Sequence, residues 1–173
     1  MAKGDGVGDE DGRHEFETFV NAKWRRLVGY AYLLTGDFQE SQDLAQEALT
    51  KMWQGWERLR SYDDPEAWGR RVLYNLACNH RRNLRRQDRR TEVDLAVAAP
   101  DVGHLDVLAA LLRLSVNQRR CIILHDVIGL TVPEVAKEMG SPQGSVRAWL
   151  HRGRTTLSAE LTAPTVPNSR EGA

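Results

Sequence analysis

Residues 130–154 read LTVPEVAKEMGSPQGSVRAWLHRGR. Thr131 and Glu134 have the spacing of a capping box, in which the third helical residue folds back onto the cap. Val135, Ala136 and Met139 follow at helical spacing and define an inward face. Gly140 suits a sharp turn because it tolerates positive φ. Ser141 reads as the cap of a second helix, with Pro142 at its first position and Val146, Leu150 and Leu157 as apolar anchors. Two helices joined by a short glycine turn form a helix-turn-helix, whose second helix fits the major groove of DNA. Arg147, His151, Arg152 and Arg154 stand out from that helix, and no acid occurs between Gln143 and Ala159. Gln143, Ser145, Arg147, Ala148, His151 and Arg152 are the candidate DNA-reading residues, since they lie within its first three turns. An arginine can pair with guanine through two hydrogen bonds, and the helix N-terminus can hold a phosphate. A helical hairpin with a solvated basic face fits the same spacing.

Working outward, the rest of the chain is also helical in pattern. Leu105, Leu108, Leu111 and Leu112 form one stripe, and Asn117 to Asp126 carries another through Cys121, Ile122, Leu124 and His125. In the first half, Phe16, Phe19, Val20, Trp24, Leu27, Val28, Ala31 and Leu34 recur at helical spacing. Gly36 fits a left-handed cap and Asp37 opens a second helix, about Phe38 to Trp56. That helix pairs an apolar stripe (Leu44, Ala45, Ala48, Leu49, Met52, Trp53, Trp56) with a polar face. Asp64 and Pro65 open a third helix that runs on through a series of arginines. Residues 88–104 show no sustained period and read as a linker. Fully extended, about 17 residues span roughly 55–60 Å. Residues 1–14 and 162–173 read as disordered tails from their composition.

The 173 residues carry zero formal net charge, with 41% hydrophobic and 28% charged residues. A neutral chain is not one that coats nucleic acid by bulk attraction, but its charge is uneven. Residues 1–20 hold six acids, whereas residues 70–90 hold eight arginines (70, 71, 81, 82, 85, 86, 89, 90) against Asp88. Such a basic segment points to a polyanion. No apolar run is long enough to span a membrane, and the first residues lack the apolar core of a secretory signal. Cys78 and Cys121 read as buried, reduced thiols. There is no zinc-ligand spacing and no glycine-rich phosphate loop.

DLAQEALTKMW (43–53), DDPEAWGRRVLYNLACNHRR (63–82) and SPQGSVRAWLHRGRTTL (141–157) together resemble the extracytoplasmic-function (ECF) sigma factors of bacterial RNA polymerase. The resemblance covers about residues 15–160, and LLTGD with SYDDPEAW is similar to the actinobacterial branch. It implies an all-α fold of two small helical domains joined by a flexible linker. Region 2 would span 15–87, and region 4, with the helix-turn-helix, 105–161. It implies a function in transcription initiation, with no catalytic site, metal or cofactor. The implied partners are core RNA polymerase, through the clamp of its largest subunit and the flap of its second-largest, and promoter DNA. An anti-sigma factor is a further candidate partner. A membrane or a small-molecule substrate is not, and the implied location is cytoplasmic.

On this resemblance, Asp43, Gln46, Glu47, Thr50 and Trp53 become core-polymerase contacts. Tyr62, Trp68, Asn75, Asn79, His80, Arg82, Arg85 and Arg86 become −10 contacts, with Asn75 in a pocket for a flipped base. Opening DNA needs such a pocket, aromatic surfaces and backbone cations. Each residue also has a plainer reading: Trp68 as core, Tyr62 as loop packing, the asparagines as surface polars. Three departures concern the −35 sequence. Ser115-Val116 replaces a Leu-Pro helix start, Pro133 sits in the first helix of the motif, and Trp149 fills a position that is often small or basic.

Two other classes remain. A stand-alone helix-turn-helix regulator predicts tight duplex binding by the free protein, but leaves the arginine run unexplained. An enzyme would rest on Cys121 and His125, at i and i+4, with no further ligand at useful spacing.

Overall fold

A computed structural model describes residues 6–88 and 102–162. The chain divides into two compact units, residues 1–97 and 98–173. Among the described residues all regular structure is helical. In the first unit, α1 (Gly6–Thr35), α2 (Phe38–Gln54), the short α3 (Trp56–Leu59) and α4 (Pro65–Asp88) pack together. In the second, α5 (Val102–Arg113) and α6 (Val116–Ile122) lead into a π-helical turn, Ile123–Val127, then α7 (Val132–Met139) and α8 (Gln143–Thr162).

Local sequence accounts for most of the helix ends. Gly36 turns the chain at φ 82°. The Asp37 carboxylate accepts the Glu40 N–H at 2.8 Å and opens α2. Asp64 does the same for α4, accepting the Ala67 N–H at 3.0 Å. Ser115, in place of the Leu-Pro start, works as a cap: its N–H donates to Gln118 Oε1 at 3.2 Å. Gly55 ends α2 before Trp56, so the expected single helix to Trp56 is broken there.

Side chains buried between α1, α2 and α4 form the first core: Leu27, Ala31, Leu34, Leu44, Ala48, Met52 and Leu73. Gly69 allows α4 to approach closely, since a Cβ there would stand 2.9 Å from Met52 Sδ. The second core is built from Leu111, Leu114, Cys121, Ile123, Leu124, Val135, Val146 and Leu150.

Three expectations change. Residues 6–14, read as a disordered tail, belong to α1. Just after them, Phe16 lies 5.1 Å from the Trp53 ring and 5.0 Å from Trp56, and Glu15 accepts from Arg60 at 3.1 Å. Acids in the first turns of a helix also suit its dipole. Val102 to His104 belong to α5, not to the linker. Most of that linker, residues 1–5 and the tail from residue 163 lie outside the described residues. Arg70, counted in the basic segment, is 3% exposed. It meets Asp64 at 3.3 Å and Glu66 at 3.4 Å.

Glu66 is itself buried and also takes Lys23 at 2.8 Å and Arg26 at 3.1 Å. One carboxylate thus joins α1 to α4. Removing one partner of a buried charged cluster strands the others, at about 3–5 kcal/mol. Lys23 and Arg26 keep solvent and Arg70 keeps Asp64, so Glu66→Ala should lower the unfolding free energy of the first unit, read from urea melts, by at most about 3–5 kcal/mol; unchanged stability would refute the assignment.

Candidate nucleic-acid and polymerase interfaces

In the second unit the start of α8 is set by how α7 ends. Gly140 sits at φ 62°. Ser141, expected to cap α8, instead closes α7: its N–H donates to Ala136 O at 3.0 Å and its hydroxyl to Met139 O at 3.4 Å. The Pro142 carbonyl accepts the first α8 bond, from Val146 N–H at 3.2 Å. At the other end of α7, Glu134 accepts from the Thr131 N–H at 2.7 Å and its hydroxyl at 2.6 Å. Pro133 falls in the first turn, where its missing N–H is harmless.

Val146, Leu150 and Gly153 of α8 face the core. A Cβ at Gly153 would stand 2.8 Å from Ile122 Cδ1, so α8 crosses α6 closely at this point. Beside this buried face, Gln143, Arg147 and His151 form one row at four-residue spacing, all exposed. Arg147 donates to Gln143 Oε1 at 3.2 Å, which steadies its guanidinium. Arg152 is exposed on an adjoining flank, with Ser145 and Ala148 half-buried beside it. Trp149 is half-buried. Arg154, expected to stand free, is held by Asp126 through Nε–Oδ2 at 3.1 Å and Nη2–Oδ1 at 2.5 Å.

In the first unit, α2 turns Asp43, Gln46, Glu47 and Thr50 outward on one face, with Trp53 39% exposed at its end. Glu47 pairs with Lys51 at 3.4 Å. Along α4, Asn75, Asn79 and Arg82 are exposed at i, i+4 and i+7, with half-buried Trp68 two turns before Asn75. Tyr62 is exposed in the preceding loop. His80 Nδ1 lies 2.6 Å from Glu40 Oε1, so α2 fixes this imidazole. Arg85 and Arg86 lie on the last turns of α4, while Arg89 and Arg90 are outside the described residues. Arg71 was counted in the arginine run but not among the −10 candidates. It is exposed one turn before Asn75, and its i, i+4 spacing was the signal for it.

Cys121 and His125 do not form a pair. The Cys121 thiol contacts Met139 Sδ at 3.3 Å. Burial pushes its pKa up to about 11, so it stays protonated where a free thiol begins to ionise. His125 Nδ1 meets Leu130 O at 2.6 Å across the π turn. Among the described residues no cluster of His, Cys, Asp and Glu could hold a metal. No described helix is long and apolar enough to cross a membrane.

Known families match both units. Sigma-70 region 2 matches residues 19–87, and Sigma-70 region 4 matches residues 104–157. Together they cover well over half of the chain, which belongs to the sigma-70 family. It is 24% identical to the ECF RNA polymerase sigma factor SigG of Mycobacterium tuberculosis over 94% of this chain, and spans 55% of that protein's length. It is 29% identical to the RNA polymerase sigma-E factor of Streptomyces coelicolor, with 86% of this chain and 87% of that protein covered. The fold is similar to that of the sigma factor RpoE from Bartonella quintana, solved with the anti-sigma factor NepR. The TM-score is 0.77 at 23% identity, covering 87% of this chain and 98% of that one.

In a Cys78→Ser variant, Cys121 should resist a disulfide reagent at pH 8 until the protein unfolds. Rapid modification of the folded protein would contradict its burial. The same shift has a stability consequence. The folded pKa lies above the unfolded 9.0, so its contribution is complete below pH 9 and is lost as pH rises toward 11.

Proposed function

We propose that this chain is a promoter-specificity subunit that places core RNA polymerase at chosen promoters and helps to open them. The observation that carries the reading is the pairing of two surfaces on one chain. An acid-free recognition helix offers Gln143, Arg147 and His151, and a separate helical unit offers aromatic, amide and arginine side chains along α4. Duplex reading and strand opening need different surfaces. The first needs a helix that reaches base edges, and the second needs stacking planes, a base pocket and backbone cations.

In this reading α8 enters the major groove of the −35 element. Arg147 reads a base with its guanidinium aligned by Gln143, while Arg152 and the start of α8 hold phosphates. Trp68, Asn75, Asn79, His80, Arg82, Arg85 and Arg86, with Tyr62 at their edge, engage the −10 strand, and Asn75 receives a flipped base. Asp43, Gln46, Glu47, Thr50 and Trp53 dock on the polymerase clamp, and the second unit meets the flap. The protein works in the cytoplasm as a binding subunit without a catalytic site, and an anti-sigma factor would regulate it by covering these surfaces.

Reconstitution tests each part. The full chain should co-migrate with actinobacterial core polymerase, and Gln46→Ala with Thr50→Ala, both exposed on α2, should weaken that association while leaving the thermal melt intact. Arg147→Ala should cost about 1–3 kcal/mol at a −35 element and relax discrimination there; unchanged promoter choice would remove that role. Asn75→Ala should reduce permanganate reactivity of the −10 strand more than it reduces initial binding. Equal reactivity would count against the pocket.

A further inference from the structure

Arg154 continues the row formed by Gln143, Arg147 and His151, at i+11 from Gln143, so it lies on the face of α8 that the proposed function turns toward DNA. It is held by Asp126 in a two-pronged pair, Nε to Oδ2 at 3.1 Å and Nη2 to Oδ1 at 2.5 Å. Parallel bonds of this kind match the way a guanidinium grips a phosphate, and a carboxylate in that place takes the same donors. Both side chains are solvent-exposed, 52% and 34%. Exposed pairs add little to stability, so the pair's effect lies in which donors it occupies.

The acid comes from outside the helix. Between Gln143 and Ala159, α8 carries none. Asp126 is delivered by the π-helical turn, where Ile128 N–H bonds to Ile123 O at 2.9 Å and Leu130 N–H to Leu124 O at 3.0 Å. The wider turn accommodates one extra residue, and in an α-helix each residue advances the side-chain direction by about 100°. His125, on the same turn, is engaged with Leu130 O and stands 4.0 Å from Asp126. A π turn thus aims one carboxylate at the last cation of the recognition face.

We propose that Asp126 is a specificity-determining residue that occupies Arg154 in place of a DNA phosphate, so that sequence-independent attraction does not dilute reading by Arg147 and His151. This rests on α8 being the DNA-reading helix. Each phosphate neutralised by a cation adds about 0.9 to the slope of log affinity against log salt, whatever the base sequence. An Arg154 released from Asp126 would add one such contact.

The test uses the full chain and a fluorescent mixed-sequence duplex of about three helical turns, with anisotropy read across a salt series. Asp126→Ala should bind several-fold tighter at low salt and steepen the salt slope by about 0.9. Asp126→Asn, which keeps the size and removes the charge, should do the same and decides the matter if the alanine variant melts early. Arg154→Ala alone should bring no gain, and added to Asp126→Ala it should erase the gain. No gain from either Asp126 variant, including no binding by any of the proteins, overturns the proposal. So does a gain that survives in the double variant. The underlying reading fails separately, if Arg147→Ala binds this duplex and promoter DNA as the wild type does.

Discussion

The turn at Gly140 is the constraint from which the exposed row of α8 follows. A left-handed residue there lets Ser141 fold back and satisfy the last carbonyls of α7, which leaves the Pro142 carbonyl free to begin α8. Three residues therefore separate the two helices. That spacing puts Val146 and Leu150 into the core and leaves Gln143, Arg147 and His151 outside. A side chain at Gly140 would strain the left-handed backbone, because Cβ crowds the following carbonyl there. Shifting the start of α8 by one residue would rotate the whole row by about 100°. Gly153 completes the arrangement further along, where the absence of a side chain lets α8 settle against Ile122.

Buried charge plays a corresponding part in each unit. Glu66 gathers Lys23, Arg26 and Arg70 and ties α1 to α4. Arg119 is 2% exposed and donates to Leu111 O at 2.9 Å, to Leu114 O at 3.3 Å and to Leu112 O. Leu111 and Leu112 end α5 and Leu114 follows it, and a cation is the group that suits a helix C-terminus. In both units an arginine that composition assigns to the surface is instead part of the framework, which narrows the set of cations free to meet DNA.

What was legible in the sequence was local. Asp37, Asp64, Thr131 with Glu134, and the turns at Gly36 and Gly140 all act within a few residues, so their spacing reveals them. The all-helical class followed from the same periodicities, whereas the family and the candidate rows on α2 and α4 came from the resemblance of three longer stretches. What was not legible depends on partners far along the chain. Arg154 meets Asp126 28 residues away and Arg60 meets Glu15 45 residues away. Phe16 packs on Trp53 and Trp56, next to residues 6–14, which are helical although their composition reads as disordered. The π turn has no period of its own, and Ser141 served the helix before it because the glycine turn brought its N–H onto Ala136 O.

Transcript mapping probes the central claim most directly. The full chain is added to actinobacterial core RNA polymerase with genomic DNA, and the 5′ ends of the transcripts are sequenced. A promoter-specificity subunit yields a small set of new start sites that share one −35 and one −10 motif at fixed spacing. An absence of new starts, together with an absence of co-migration with core, would contradict the claim and leave a free DNA-binding regulator as the reading to pursue.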